Sequence, residues 1–98
     1  MNSTNTSAIK IVDKESISSL SFPKDEVLTS AEEIKQRQAD LEQATRLGNI
    51  EHGKIKIQFN DSEGLKQVET TIWATTDQRI VLKSGVMIPI NRIYKVIL

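Results

Sequence analysis

The sequence has no cysteine, and this removes disulfide bonds, thiol nucleophiles and cysteine-ligated metals together. A small domain without staples fits a reducing compartment, so the expected location is the cytoplasm. Aromatic residues are scarce: Phe22, Phe59, Trp73 and Tyr94 are all there is. Ile, Leu and Val must therefore supply the core. Neither sign of charge prevails, since 13 basic side chains meet 13 acidic ones, so no global field draws the chain onto nucleic acid or anionic lipid. The basic and acidic counts are 6 and 8 up to Leu47, then 7 and 5 after it, which leaves the second half mildly basic. No stretch of ~18 consecutive apolar residues occurs, and Met1 to Lys10 is too polar for a signal peptide. Neither secretion nor membrane insertion is expected.

What remains is ordinary globular composition, 38% hydrophobic and 27% charged over 98 residues, enough for one domain with one modest core. Residues 1–24 are rich in Ser, Thr and Asn and read as a flexible arm. Two apolar islands in it, Ala8 to Val12 and Ile17 to Phe22, are able to dock on an apolar edge. Residues 25–98 read as the folded domain.

A helix is expected near 29–47. Ser30-Ala31-Glu32-Glu33 fits a capping box, in which the Ser30 hydroxyl accepts from a free first-turn amide, and Thr29 with Glu32 is an equally legal register. Glu33 with Arg37, and Glu42 with Arg46, have the spacing of surface ion pairs. Leu28, Ala31, Ile34, Leu41, Ala44 and Leu47 form an apolar stripe interrupted by Gln38. Gly48 is the expected helix terminator.

After Gly53 the period changes to two. Lys54 to Phe59 alternates polar and apolar, Asn60 to Gly64 is a turn, and Gln67 to Thr76 reads as a long partner strand. Thr76-Asp77-Gln78 and Ser84-Gly85 are the next turns, separating strands Arg79 to Lys83 and Val86 to Ile90. Asn91-Arg92-Ile93 breaks the alternation, so a helical turn or bulge must restore the register before a last strand from Tyr94 to Leu98. The expected fold class is α+β: an N-terminal helix packed on a small five-stranded antiparallel barrel.

The order of these elements, with the stretch Ile88-Pro89-Ile90-Asn91-Arg92-Ile93-Tyr94-Lys95-Val96, resembles Sm-like and SH3-like small barrels, including bacterial Rho-inhibitor-like proteins and a group of uncharacterised short bacterial proteins. The resemblance covers about residues 29–98 and rests on architecture. Sm-like proteins as a class bind RNA or protein, often as rings, but no residue set here matches their RNA-binding motif.

Motifs for chemistry are missing. His52 is the only histidine and has no cysteine or second imidazole to ligate a metal with it. Asp61 and Glu63 lack the twelve-residue frame of a calcium loop. Gly53, Gly64 and Gly85 are isolated turn residues, and no Gly-x-Ser-x-Gly elbow activates a serine. No enzyme activity and no cofactor are expected. Two surfaces stand out instead. Alternation with Val68, Ile72 and Ala74 inside puts Glu69, Thr71, Trp73 and Thr75 outside, with Arg79, Val81, Lys83, Met87 and Pro89 of the neighbouring strands. An exposed set of Trp73, Val81, Met87 and Pro89, with Tyr94 in the last strand, points to a protein partner or a homo-oligomer. Lys54, Lys56, Arg79 and Arg92, near Trp73 or Tyr94 as stacking aromatics, define the alternative, a single-stranded nucleic-acid site.

Overall fold

The computed structural model describes residues 9–98, folded as one long helix and seven strands in two sheets. The first eight residues of the expected arm lie outside the described residues. In chain order the elements are β1 (Lys10–Ile11), the one-turn α1 (Lys14–Ile17), α2 (Ala31–Glu51), β2 (Ile55–Asn60), β3 (Leu65–Thr70), β4 (Ile72–Thr75), β5 (Arg79–Leu82), β6 (Met87–Pro89) and β7 (Ile93–Ile97). One sheet has the order β1-β3-β2-β7 and the other β4-β5-β6. β1 joins β3 in parallel; the remaining pairings are antiparallel.

The expected five-stranded barrel does not form. The run Gln67 to Thr76 is extended as its composition requires, but it serves two sheets. Through Thr70 it pairs with β2, and from Ile72 it pairs with β5. Thr71, buried at the corner, accepts the Lys83 amide at 3.0 Å. Because β3 leads straight into β4, the edges left to close a barrel are β7 of one sheet and β6 of the other, and these form no ladder. Helix α2 packs against β4 and β7.

The inner faces of the two sheets and one side of α2 share a single core. Ile55, Ile57, Phe59 and Val68 come from the first sheet, Ile72, Ile80, Leu82 and Ile88 from the second, and Leu41 and Ala44 from the helix. The tight β2–β3 hairpin follows from strict alternation, with Ile57 opposite Val68. At β7 a one-turn 3-10 helix (Ile90–Arg92) and a register shift opposite Gln58 and Phe59 let Ile93 and Val96 both face inward while Tyr94 and Lys95 face out. This is the interruption that the residues around Asn91 require.

Ser30 caps α2 as expected, its hydroxyl accepting the Glu33 amide at 3.0 Å. The helix does not stop at Gly48. It runs to Glu51 and closes on His52, which adopts the left-handed conformation (φ 54°) and donates its amide to the Gly48 carbonyl. Gly48 is instead where α2 touches β4: a Cβ there would lie 2.2 Å from the Ile72 carbonyl oxygen. The buried face is also rotated from the expected stripe. It consists of Arg37, Leu41, Ala44 and Gly48, and Ile34 is exposed. Arg37 therefore makes no surface pair with Glu33. Its guanidinium is bound by Glu26 through two contacts of 2.7 Å and donates to the Ile93 carbonyl at 2.9 Å.

Residues 9–28 lie against this body. Val12 donates to Gln67, Ile17 is buried in the core, Ser21 accepts the Ser62 amide, and the Phe22 ring packs on Phe59 at 5.9 Å. The 3-10 turn then clamps residues 24–27: Asn91 donates to the Lys24 and Asp25 carbonyls, and its own carbonyl accepts from Val27.

Candidate functional site

The outer faces of the two sheets differ in kind. On the four-stranded sheet, Lys56 stands opposite Glu69, and Gln58 donates to Gln67 at 3.0 Å across the β2–β3 ladder, with Lys95 beyond Gln58 on β7. The centre of that face is a self-satisfied polar row, with exposed Ile11 beside Gln67 and exposed Ile97 beside Lys56 at its two margins. The three-stranded sheet has no such row. The strands β4, β5 and β6 contain one charged residue among them, Arg79.

Register brings most of the expected apolar set onto that second face. Val81 pairs with Met87 on one side and Ala74 on the other, and Arg79 pairs with Pro89. Between Ile72 and Ala74 the β4–β5 ladder shifts. In a bulge of this kind the two residues opposite one partner point to the same side, so Trp73 and Ala74 both stand over Val81. This corrects the simple alternation: Ala74 is exposed rather than inside, and Thr71 is buried rather than outside. Trp73 is 47% exposed and Met87 49%. Helix α2 lies along the edge of β4, where the Thr45 and Thr75 hydroxyls meet at 2.5 Å, and leaves the Trp73 face open.

Arg79 spans the end of this face. Its guanidinium reaches the Met87 sulfur at 3.9 Å, and with Met87 and Pro89 it lines a groove of about 230 Å³. The same Arg79 and Pro89 form one wall of a larger cleft of about 560 Å³, whose other walls include Phe22, Lys24, Arg37 and Asn91.

Tyr94 is not part of this surface. It lies on β7, 42% exposed, in a shallow groove with Gln36, Asp40 and Lys95 beside α2. The four cations do not come together either. Lys56 is exposed on the four-stranded sheet and Lys54 just precedes it, whereas Arg79 belongs to the other sheet. Arg92 is buried, 6% exposed, and its donors are used internally on the Asn60 and Asp25 carbonyls and the Asp25 carboxylate.

Two buried charge groups escape a reading by periodicity. Arg37 with Glu26 is one; the Arg37 hydrogen bond holds the Glu26 carboxyl below its ordinary range. Lys66 with Asp61 is the other, at 2.5 Å inside the β2–β3 hairpin, where Asp61 also accepts the Glu63 and Gly64 amides. Burial alone would raise the Asp61 carboxyl, but the Lys66 hydrogen bond and the two amides outweigh it and the net direction is down. Lys66 is correspondingly raised by its bond to Asp61. Both groups tie one segment to another. The only sequence signal for Lys66 is its place in phase with the core residue Val68.

Among the described residues no three His, Asp or Glu side chains cluster so as to hold a metal ion, and no helix is long and apolar enough to cross a membrane. His52 serves as the helix cap. No family model, no curated protein and no solved structure matches this chain.

Proposed function

We propose that this protein is a non-enzymatic interaction module whose partner site is the outer face of the three-stranded sheet, with Trp73, Val81, Met87 and Pro89 as its apolar contacts. The observation that carries the reading is the contrast between the two sheets. One outer face has paired polar side chains at its centre and single apolar residues, Ile11 and Ile97, at opposite margins, while the other presents a half-exposed tryptophan and methionine together over a valine. An indole and a thioether left in water forgo about 1–2 kcal/mol each that burial under a partner would return. Contiguous apolar surface of this sort marks contact sites, and tryptophan is the residue most enriched among their energetic anchors.

The face is a better candidate than either strand edge. Val86 and Ile90 turn their backbone groups toward β5, so Met87 and Pro89 turn theirs outward, and proline has no N–H to offer. The β7 edge faces α2, and Arg37 takes its Ile93 carbonyl. The test compares wild type with Trp73→Ala in sedimentation velocity and in affinity capture. Loss of self-association or of specific partners, with the circular dichroism spectrum intact, supports the site. An unchanged sedimentation profile and an unchanged set of partners removes it.

A further inference from the structure

The charges around this face specify its partner more closely. Along β5 the outward positions run Arg79, Val81, and then Lys83 just past the strand, so a valine lies between two cations. Four residues of extended chain separate the cations by about 13 Å. No acidic residue occurs in β4, β5 or β6, and Asp77 is confined to the turn before Arg79. Neither Arg79 nor Lys83 has a carboxylate partner among the described residues. This is unlike the buried cations Arg37, Lys66 and Arg92, each of which is paired with an acid. The face is thus apolar between two cations that are in no ion pair, with Asp77 and Glu26 in the cleft that Arg79 borders and Asp13, Glu15 and Glu69 in the groove that Lys83 borders.

We infer that the Trp73 face takes an acidic–apolar–acidic segment of a partner protein, with apolar side chains on Val81, Met87 and Trp73 and carboxylates about 13 Å apart reaching Arg79 and Lys83. The inference rests on the reading of this face as a partner site and adds the partner's chemistry to it. In an extended segment the spacing corresponds to carboxylates at positions i and i+4 with an apolar residue at i+2. The Arg79 guanidinium already rests against the Met87 sulfur through one nitrogen, which places its remaining N–H donors beside the apolar contact, where they can bind a carboxylate. The composition favours a protein over single-stranded nucleic acid. One indole amid Val81, Met87, Pro89 and Ala74 is a single stacking platform, and strand binding needs aromatics in series along a cationic groove.

The experiment uses the full chain and three immobilised peptides, Glu-Thr-Leu-Thr-Glu, Gln-Thr-Leu-Thr-Gln and Lys-Thr-Leu-Thr-Lys, each capped at both ends, read by surface plasmon resonance at low and high salt. Trp73 is the only tryptophan, so its emission with the same peptides free in solution reports contact at the face. The expected result is a Glu-peptide affinity about tenfold above the Gln peptide, and weaker still for the Lys peptide, since two exposed charge pairs amount to roughly that factor. High salt, or the double variant Arg79→Gln with Lys83→Gln, should bring the Glu peptide down to the Gln level. Equal binding of the Glu and Gln peptides with a Trp73 response overturns the charge inference and leaves the apolar site standing. No binding of any peptide overturns the inference as well. The site itself then fails only if Trp73→Ala also leaves captured partners and self-association unchanged. An oligothymidylate that shifts Trp73 emission more than the Glu peptide does overturns the inference in favour of nucleic acid.

Discussion

Replacing Gly48 by alanine sets two physical effects of opposite sign against each other. In a helix interior alanine is better than glycine by about 1 kcal/mol, because glycine loses more backbone entropy. Gly48 lies inside α2, so propensity alone predicts stabilisation. The structure predicts the reverse. The new Cβ would sit 2.2 Å from the Ile72 carbonyl oxygen and 3.0 Å from the Thr71 methyl. Even the tightest real contacts stop near 3.0 Å, so α2 must withdraw from β4 by at least about 0.8 Å. The obstacle is backbone of a paired strand and cannot turn aside as a side chain would. Overpacking costs about 1–3 kcal/mol, with the upper end expected for a rigid neighbour. Withdrawal also loosens Leu41 and Ala44, which share that helix face. After the ~1 kcal/mol gain in propensity, the net expectation is a loss of about 2 kcal/mol, or roughly 10 °C in melting temperature for a domain of this size. Urea unfolding followed by far-UV circular dichroism and by Trp73 emission measures it. Gly53→Ala is the control, because no atom lies within 4 Å of its Cβ and its φ is not left-handed, so that variant should unfold at or slightly above the wild-type midpoint. A Gly48→Ala protein more stable than wild type would refute the close packing of α2 on β4.

Glu26→Gln should cost about 2 kcal/mol at neutral pH, since it leaves the Arg37 guanidinium, 5% exposed, without a counter-charge. Arg37 holds the Glu26 carboxyl below 4.5, so the stability it contributes is present above that pH and lost as the carboxylate protonates below it. Urea midpoints of wild type and variant should therefore converge toward pH 3, and a gap independent of pH would show that the ion pair contributes nothing. Asp61→Ala removes the acceptor of two backbone amides and the counter-ion of buried Lys66 together, and about 3 kcal/mol should be lost. With the Asp61 carboxyl lowered and the Lys66 ammonium raised, this pair's contribution should hold from about pH 4 to about pH 10 and fall outside that window. A wild-type-like midpoint for Asp61→Ala, or an unchanged acid limb, would refute that account.

Local chemistry alone determined much of this protein. Ser30 three residues before Glu33 dictates a cap, and strict alternation over Ile55, Ile57 and Phe59 dictates a half-buried strand. The helix-like break at Asn91 follows from a hydrophobic register that no straight strand can satisfy. These signals are short-range, and neighbouring residues carry them in full. The candidate face was partly legible for the same reason, because Val81, Met87 and Pro89 follow from period two within single hairpins.

What needed the tertiary structure were decisions between segments far apart in sequence. Whether Gln67 to Thr76 stays with one sheet depends on which strands compete for its hydrogen bonds, and it divides at Thr71 because β2 and β5 each claim one half. Whether Gly48 ends a helix or passes through it depends on a carbonyl of Ile72, 24 residues later, which only a residue without a side chain can admit. Arg37 reads as a surface partner of Glu33 until Glu26 and the Ile93 carbonyl arrive from either side of it in sequence to satisfy a buried guanidinium. That the two sheets stay open is a decision of the same order, since β6 and β7, separated by the 3-10 turn, form no ladder with each other. By packing on β4 and β7 rather than over β4–β6, the helix leaves Trp73 in solvent.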